Sequence, residues 1–277
     1  MNSLWRSFRL AATVACCVTF RISAQQAPLQ LASPEQITND FKSVPCNNAD
    51  RLEAVRRLFG SLGAPAEQIA LQKFKNAENL VIQAPSPSTE TVIVGAHYDK
   101  VDQGCGAVDD WTGIVAIARL YATTQSLAHK KAIIFVAFGN EEKGLFGSRD
   151  MADAIPKSQR SQYCAMINID SLGMGAPQVA ENLSSEKLHK LATSVAKTMK
   201  IPYGDAAIWG AGADSASFME KGIPAITIHG VTNDWRQVLH TSADQAVKVN
   251  PKSVYLGYRF ALSLLASVDN APCKAFR

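Results

Sequence analysis

Residues 91–124 read TVIVGAHYDKVDQGCGAVDDWTGIVAIARLYATT, and three textures follow one another along them. TVIVGAH is apolar without alternation, which suits a strand buried on both faces. WTGIVAIARLYATT has the length and apolar content of a helix. Between them, His97 to Gly113 holds one histidine and four aspartates. Loops are polar and aspartates cap helices, which accounts for Asp102 and Asp110. It does not account for His97 and Asp109, whose meaning depends on residues far along the chain.

The same texture recurs on either side. NLVIQA (79–84), AIIFVAFGN (132–140), YCAMINID (163–170) and PAITIHG (224–230) are further short apolar runs rich in Val and Ile. Helical patterns lie among them, LFGSRDMADAI (145–155) and SSEKLHKLATSVAKTM (184–199). A closing helix, NPKSVYLGYRFALSLLAS (250–267), opens with Asn250 as cap and Pro251 at its first position. Upstream, Ser33-Pro34-Glu35-Gln36 has the form of a capping box. A second helix follows Asp50, with Leu52, Val55, Leu58 and Phe59 on one face. Strands alternating with helices predict an α/β protein, a mainly parallel sheet sandwiched by helices. No repeat, linker or low-complexity tract divides it.

The beginning of the chain has a different character. Met1 to Arg9 carries Arg6, Arg9 and no acid, LAATVACCVTF is a short apolar run, and Ala24 is a small residue before Gln25. That order is a secretory signal over residues 1–24, too short in its apolar part to span a bilayer. Lipid attachment at Cys16 would cut the apolar run in half. The remaining residues, 25–277, suit one large domain. Loss of Arg6, Arg9 and Arg21 lowers the net charge from +4 to +1. No Lys/Arg block then favours nucleic acid or a membrane as partner. Cys46, Cys105, Cys164 and Cys273 stay with the domain, and in an oxidising compartment they allow three pairings. Asn182-Leu183-Ser184 is a glycosylation sequon, meaningful only in a eukaryote. Oligomeric state has no signature.

In open parallel sheets, ligands bind at the carboxyl ends of the strands. Three of the five runs end in metal-ligand residue types: TVIVGAH at His97, AIIFVAFGN before Glu141-Glu142, and YCAMINID at Asp170. With His240, these give the candidate ligands His97, Asp109, Glu142, Asp170 and His240. Imidazole and carboxylate without thiolate suit a divalent ion such as zinc. Five groups exceed one tetrahedral ion and fit two if one carboxylate bridges, and Asp109 is the natural bridge. Glu141, beside the ligand Glu142, is then placed as general base. Asp99 can accept the second N–H of His97 and fix its tautomer. Asp244 either does the same for His240 or caps a helix. His129 and His189 read as solvated, and His229 as a strand-end residue that is half-buried or lines the pocket.

HYDK, GAVDDWTG, NEEKGLFGS, INIDSLG, GADSASFMEKGIPA and HTSADQ, in this order over roughly residues 78–265, resemble the M28 zinc aminopeptidases. The resemblance implies a three-layer α/β/α sandwich with a mixed, mainly parallel sheet and two zinc ions. One ion would be held by His97, Asp109 and Asp170, the other by Asp109, Glu142 and His240, with Glu141 as the proton shuttle. It also implies a cis peptide between Asp109 and Asp110. Two stretches depart from the pattern. Ala213-Asp214-Ser215 stands where relatives often read Ser-Asp-His, so no role is carried over to it. Trp111 replaces a small residue or amide, either narrowing the site mouth or packing at the helix start.

The resemblance and the signal together imply an exported aminopeptidase, secreted or periplasmic, acting on peptides with a free N-terminus. Glutaminyl cyclases resemble it too, but use one zinc with the equivalents of Asp109, Glu142 and His240. The presence of His97 and Asp170 speaks for two metals. Some relatives lost their ligands and became receptors, whereas every ligand is present here. Trp209, Phe218 and Trp235 are aromatic candidates for either an apolar pocket or the core. The exported protein is expected to begin near Gln25, and mass spectrometry finding Met1 intact would contradict the signal reading.

Overall fold

In the computed structural model, which describes residues 29–277, an eight-stranded sheet runs through the protein. The predicted signal lies outside the described residues. The strands are β1 (Ile69–Lys73), β2 (Glu78–Gln83), β3 (Thr91–His97), β4 (Ala132–Phe138), β5 (Tyr163–Ile169), β6 (Gln178–Ala180), β7 (Gly204–Ala206) and β8 (Ala225–His229). Their order across the sheet is β1-β2-β4-β3-β5-β8-β6-β7. The four central strands, β4, β3, β5 and β8, are mutually parallel. β1, β2 and β6 introduce antiparallel pairings on the flanks, so the sheet is mixed.

Continuous apolarity in the central runs has a direct cause. All seven residues of β3 and all seven of β4 are buried. Val92, Val94 and Ala96 face one core layer, while Ile93 faces the other. The first layer is covered by α1 (Pro34–Lys42), α2 (Asn48–Ser61), α3 (Thr112–Thr124), α5 (Glu186–Met199) and α7 (Pro251–Asn270). The second lies under α4 (Phe146–Ala154) and α6 (Asp214–Glu220). Three layers result. Caps begin the helices where the sequence requires. Ser33 and Gln36 form the capping box of α1, and Asn250 accepts from the Lys252 N–H at the start of α7.

The path of the chain places the site. From β3 the chain passes through α3 to β4, then through α4 back across β3 to β5. Right-handed crossovers running in opposite directions put α3 and α4 on opposite faces. The crevice between β3 and β5 is therefore the switch point, where side chains at carboxyl ends are free to converge.

Strands β1, β6 and β7 and helix α6 were not legible in the sequence. β6 and β7 have three residues each, and α6 only seven, too short to show a period. Two disulfides select one of the three pairings: Cys46 with Cys105, and Cys164 with Cys273. The first ties the α1–α2 connection to the loop after β3, and the second ties β5 to the C-terminal turn. Gly95, in the middle of β3, has the Phe138 ring laid over it, and a Cβ there would stand 2.4 Å from Phe138 Cε2. Gly95→Val is expected to lower stability by about 1–3 kcal/mol through overpacking, read from the urea midpoint at unchanged slope.

Candidate metal centre

Register across the sheet brings the first candidates into a row. β3 and β5 pair through Gly95 and Asn168, so His97 and Asp170 stand opposite each other two residues further on. Both project to the α4/α6 side, with Ile93 and Met166. The loop after β3 then returns and carries Asp109 over the strand ends. Its two carboxylate oxygens point to different partners. Oδ1 lies 3.1 Å from His97 Nε2, and Oδ2 lies 3.0 Å from His240 Nε2. His240 Nε2 is also 3.0 Å from Glu142 Oε2. Ser171 Oγ joins the two sides, donating to Asp170 at 2.9 Å and to Asp109 Oδ1 at 3.3 Å. His97, Glu142 and His240 thus gather around Asp109, while Asp170 stands with His97 and Asp110. The Asp109–Asp110 peptide is cis, as the motif resemblance implied.

The charge balance bears on what these residues can hold. Asp109 and Asp110 are buried around this point, with Asp170 and Glu141 half-buried beside them. Burial pushes the Asp170 carboxyl up to about 6, against the pull of His97 and with the push of Asp109. Burial likewise raises Glu141 well above the carboxylate range. Asp109 alone goes down, because hydrogen bonds with His240 and His97 outweigh its burial. The His240 imidazole is held up at about 10 by its hydrogen bonds to Asp109 and Glu142. Glu142 Oε1 is buried with no partner at all. A crowd of enclosed carboxylates, with an orphaned oxygen and two imidazoles converging on a shared aspartate, fits divalent cations. The donor set is hard oxygen and imidazole nitrogen, as zinc accepts.

Comparison with known proteins agrees with this reading. The model of peptidase family M28 matches residues 79–263. The chain belongs to peptidase family M28. A probable leucine aminopeptidase of Arthroderma otae is 26% identical over 249 residues, covering 80% of this chain and 65% of its own length. The fold resembles a zinc aminopeptidase from Bacillus subtilis (TM-score 0.63, 20% identity, 72% of this chain, 54% of that one). It equally resembles an Acidobacteriales bacterium glutaminyl cyclase (TM-score 0.71, 15% identity, 89% of this chain, 99% of that one). The chain therefore spans only part of these aminopeptidase relatives. Fold alone does not separate the two activities.

In this M28 chain the supports of the centre differ from the sequence expectation. His97 Nδ1 faces the backbone carbonyl of Asp99 at 3.1 Å, while the Asp99 carboxylate stands 3.8 Å away. That carboxylate instead accepts the backbone N–H groups of Glu141 (3.0 Å) and Glu142 (3.2 Å). Asp99 thus fixes the histidine through its main chain and the two glutamates through its side chain. Asp244 makes no hydrogen bond to His240; it accepts from the N–H groups of Val108 (2.7 Å) and Asp109 (3.1 Å), in the first turn of the helical segment Ala107–Trp111. Asp110 is more than a polar loop residue, since it is fully buried and accepts from His97, Gly113 and Ser171 N–H groups. Trp111 packs at the helix start, with Nε1 3.3 Å from the Asp40 carbonyl, and is not part of the cavity wall. Ser215 is core, bonded to Leu183 O and Thr227 Oγ1, and burial pushes the adjacent Asp214 carboxyl up to about 7.

Backbone strain gathers at the same place. Five described non-glycine residues have positive φ, among them Asn140 beside Glu141, Ser171 beside Asp170, and His240 itself. A cavity of about 570 Å³ opens over the centre, lined by His97, Asp109, Glu141, Glu142, Asp170 and His240 and by an apolar wall. Trp235 and His229 belong to that wall, whereas Phe218 is in the core and Trp209 is 73% exposed.

The residue that sequence reasoning missed is Arg51. It lies fully buried on α2, stacked 5.2 Å from the Trp111 ring. Its guanidinium donates to the carbonyls of Tyr98, Pro45, Cys105 and Gly106. Burial lowers it to about 10, against the pull of Asp110, Asp99, Asp109 and Asp244. An arginine on a helix carries no sequence signal of this kind. Arg51→Met is expected to destabilise by about 3–5 kcal/mol, seen as a lower denaturant midpoint together with reduced zinc uptake by the folded fraction.

Proposed function

We propose that this protein is a secreted di-zinc aminopeptidase that removes N-terminal residues from peptides. The observation that carries the reading is the divided carboxylate of Asp109, one oxygen toward His97 and the other toward His240. His97, Asp109 and Asp170 would hold one ion, and Asp109, Glu142 and His240 the other. Bound zinc supplies Lewis acidity to the scissile carbonyl and to the attacking water. The remaining work belongs to the chain.

Glu141 lines the cavity beside the ligands, and its backbone is fixed by Asp99. Its carboxylate takes a proton from the attacking water as the oxygen–carbon bond forms. The same proton passes to the amide nitrogen as the carbon–nitrogen bond breaks, releasing a neutral amine. Burial raises the proton affinity of Glu141, which suits a group that must take and return a proton. The acid-rich floor attracts the substrate's terminal ammonium, and the apolar wall receives its side chain. Among the described residues no helix is long and apolar enough to cross a membrane. The signal sequence at residues 1–24 supports export of the single domain that follows.

Amide substitution separates the two glutamates. Glu141→Gln should keep zinc near the wild-type content while kcat falls by about 10²–10⁴-fold with little change in KM. Glu142→Gln should lose metal affinity and regain part of its activity in excess zinc. Near-normal kcat in zinc-loaded Glu141→Gln would end this mechanism. A second measurement concerns metal removal. Chelation should abolish release of N-terminal residues from a dipeptide panel, and zinc should restore it at a stoichiometry near two per chain. Restoration at one zinc, with a pyroglutamyl product from N-terminal glutamine, would identify a cyclase instead.

A further inference from the structure

One polar group in the cavity wall has no part in the reaction proposed above. His229 ends β8, and its register with β5 sets it opposite Asp170, one strand further from His97. The ring is only 2% exposed and lines the same cavity as the candidate ligands. Its Nδ1 accepts the backbone N–H of Val231 at 3.3 Å. An imidazole nitrogen that accepts carries no proton, so the neutral ring has its proton on Nε2. Nε2 is buried and has no hydrogen-bond partner. Burial also pushes the imidazole down to about 4, which keeps it neutral in ordinary conditions.

The surroundings make this donor selective. Leu183, Ile208, Ala213, Val231 and Leu239 supply hydrocarbon to the same wall. Thr227 is engaged elsewhere, its hydroxyl 2.7 Å from Ser215 Oγ. An aliphatic side chain entering this pocket leaves the His229 N–H dry and unpaired, which is costly. An anionic one brings another charge to a floor already crowded with carboxylates. A neutral chain ending in an oxygen acceptor satisfies the donor and still packs against the hydrocarbon.

We infer that His229 determines specificity: its Nε2–H bonds a neutral oxygen acceptor at the tip of the substrate's N-terminal side chain, as glutamine provides. The placement of that side chain rests on the aminopeptidase reading. A pocket built around a hydrogen bond rejects analogues that lack the partner more sharply than an apolar pocket rejects a wrong shape.

The test compares glutaminyl and leucyl fluorogenic amides with zinc-loaded protein, alongside calorimetric binding of glutamine hydroxamate and leucine hydroxamate. Wild type should favour the glutaminyl compound by about tenfold or more in kcat/KM and in affinity. His229→Phe, which keeps bulk and removes the donor, should erase or invert that ratio. His229→Gln, which retains an acceptor for Val231 and a donor for substrate, should restore much of it. Equal or better use of leucine by wild type, or a preference untouched in His229→Phe, overturns the inference and leaves the peptidase reading standing. Preferential binding of glutamine hydroxamate without turnover of either amide supports the inference and sinks that reading. Should His229→Phe fail to fold, the wild-type and His229→Gln ratios decide.

Discussion

Enclosing several carboxylates at the carboxyl ends of the parallel central strands is the constraint on which this structure turns. Each would be expensive to bury alone, and like charges within a few ångströms of one another raise the cost further. Part of the answer is permanent. Arg51 lies beneath the loop that carries Asp99, Asp109 and Asp110, and its donors are spent on that loop's carbonyls rather than on the acids. Its charge acts over distance, while its hydrogen bonds hold the shape. The rest is left for cations that bind from the cavity side.

Backbone amides do the finer work. Asp110 collects N–H groups from β3, from the start of α3 and from Ser171, two residues after β5. Asp244 holds the two N–H groups just before the Asp109–Asp110 peptide, and Asp99 holds those of Glu141 and Glu142. Three acids outside the cavity lining therefore fix the positions of acids within it. A carboxylate accepting two or three amides pre-sets its neighbours without adding a cation that would compete with the metal. Gly113 shows how tight this is, since a Cβ there would stand 2.4 Å from both Asp110 oxygens.

The sequence made the central layer legible because burial on both faces leaves a plain signature, four to seven apolar residues without alternation. It made the candidate ligands stand out because metal-binding types recur at strand ends, where few other roles explain them. It could not show β6, β7 or α6, whose short spans carry no period. Nor could it show that Asp99 would use its carbonyl for His97 and its carboxylate for the glutamates, because both uses start from the same residue at the same spacing. Asp244 was read through its neighbour His240, yet its partners lie 135 and 136 residues away. Arg51 was hidden for a similar reason: on α2 it fits a solvated helix face, and only the fold brings the loop against it. Long-range support of this kind has no local pattern to find.

The division of labour along the chain has a consequence for how such a site changes. Nearly all of the metal frame comes from residues 97–171, at the ends of β3, β4 and β5, with His240 closing it from outside. The apolar wall comes from later segments, Leu183, residues 208–213, and the stretch from Thr227 to Leu239. The frame is held by amide bonds and a buried arginine, so substitutions there disturb several groups at once. The wall is held mostly by packing, where exchanges of similar volume cost little. Side-chain preference can therefore shift within the wall while the chemistry stays in place. His229 is the exception in that wall, because its backbone-fixed tautomer makes it a polar feature as rigid as the frame itself.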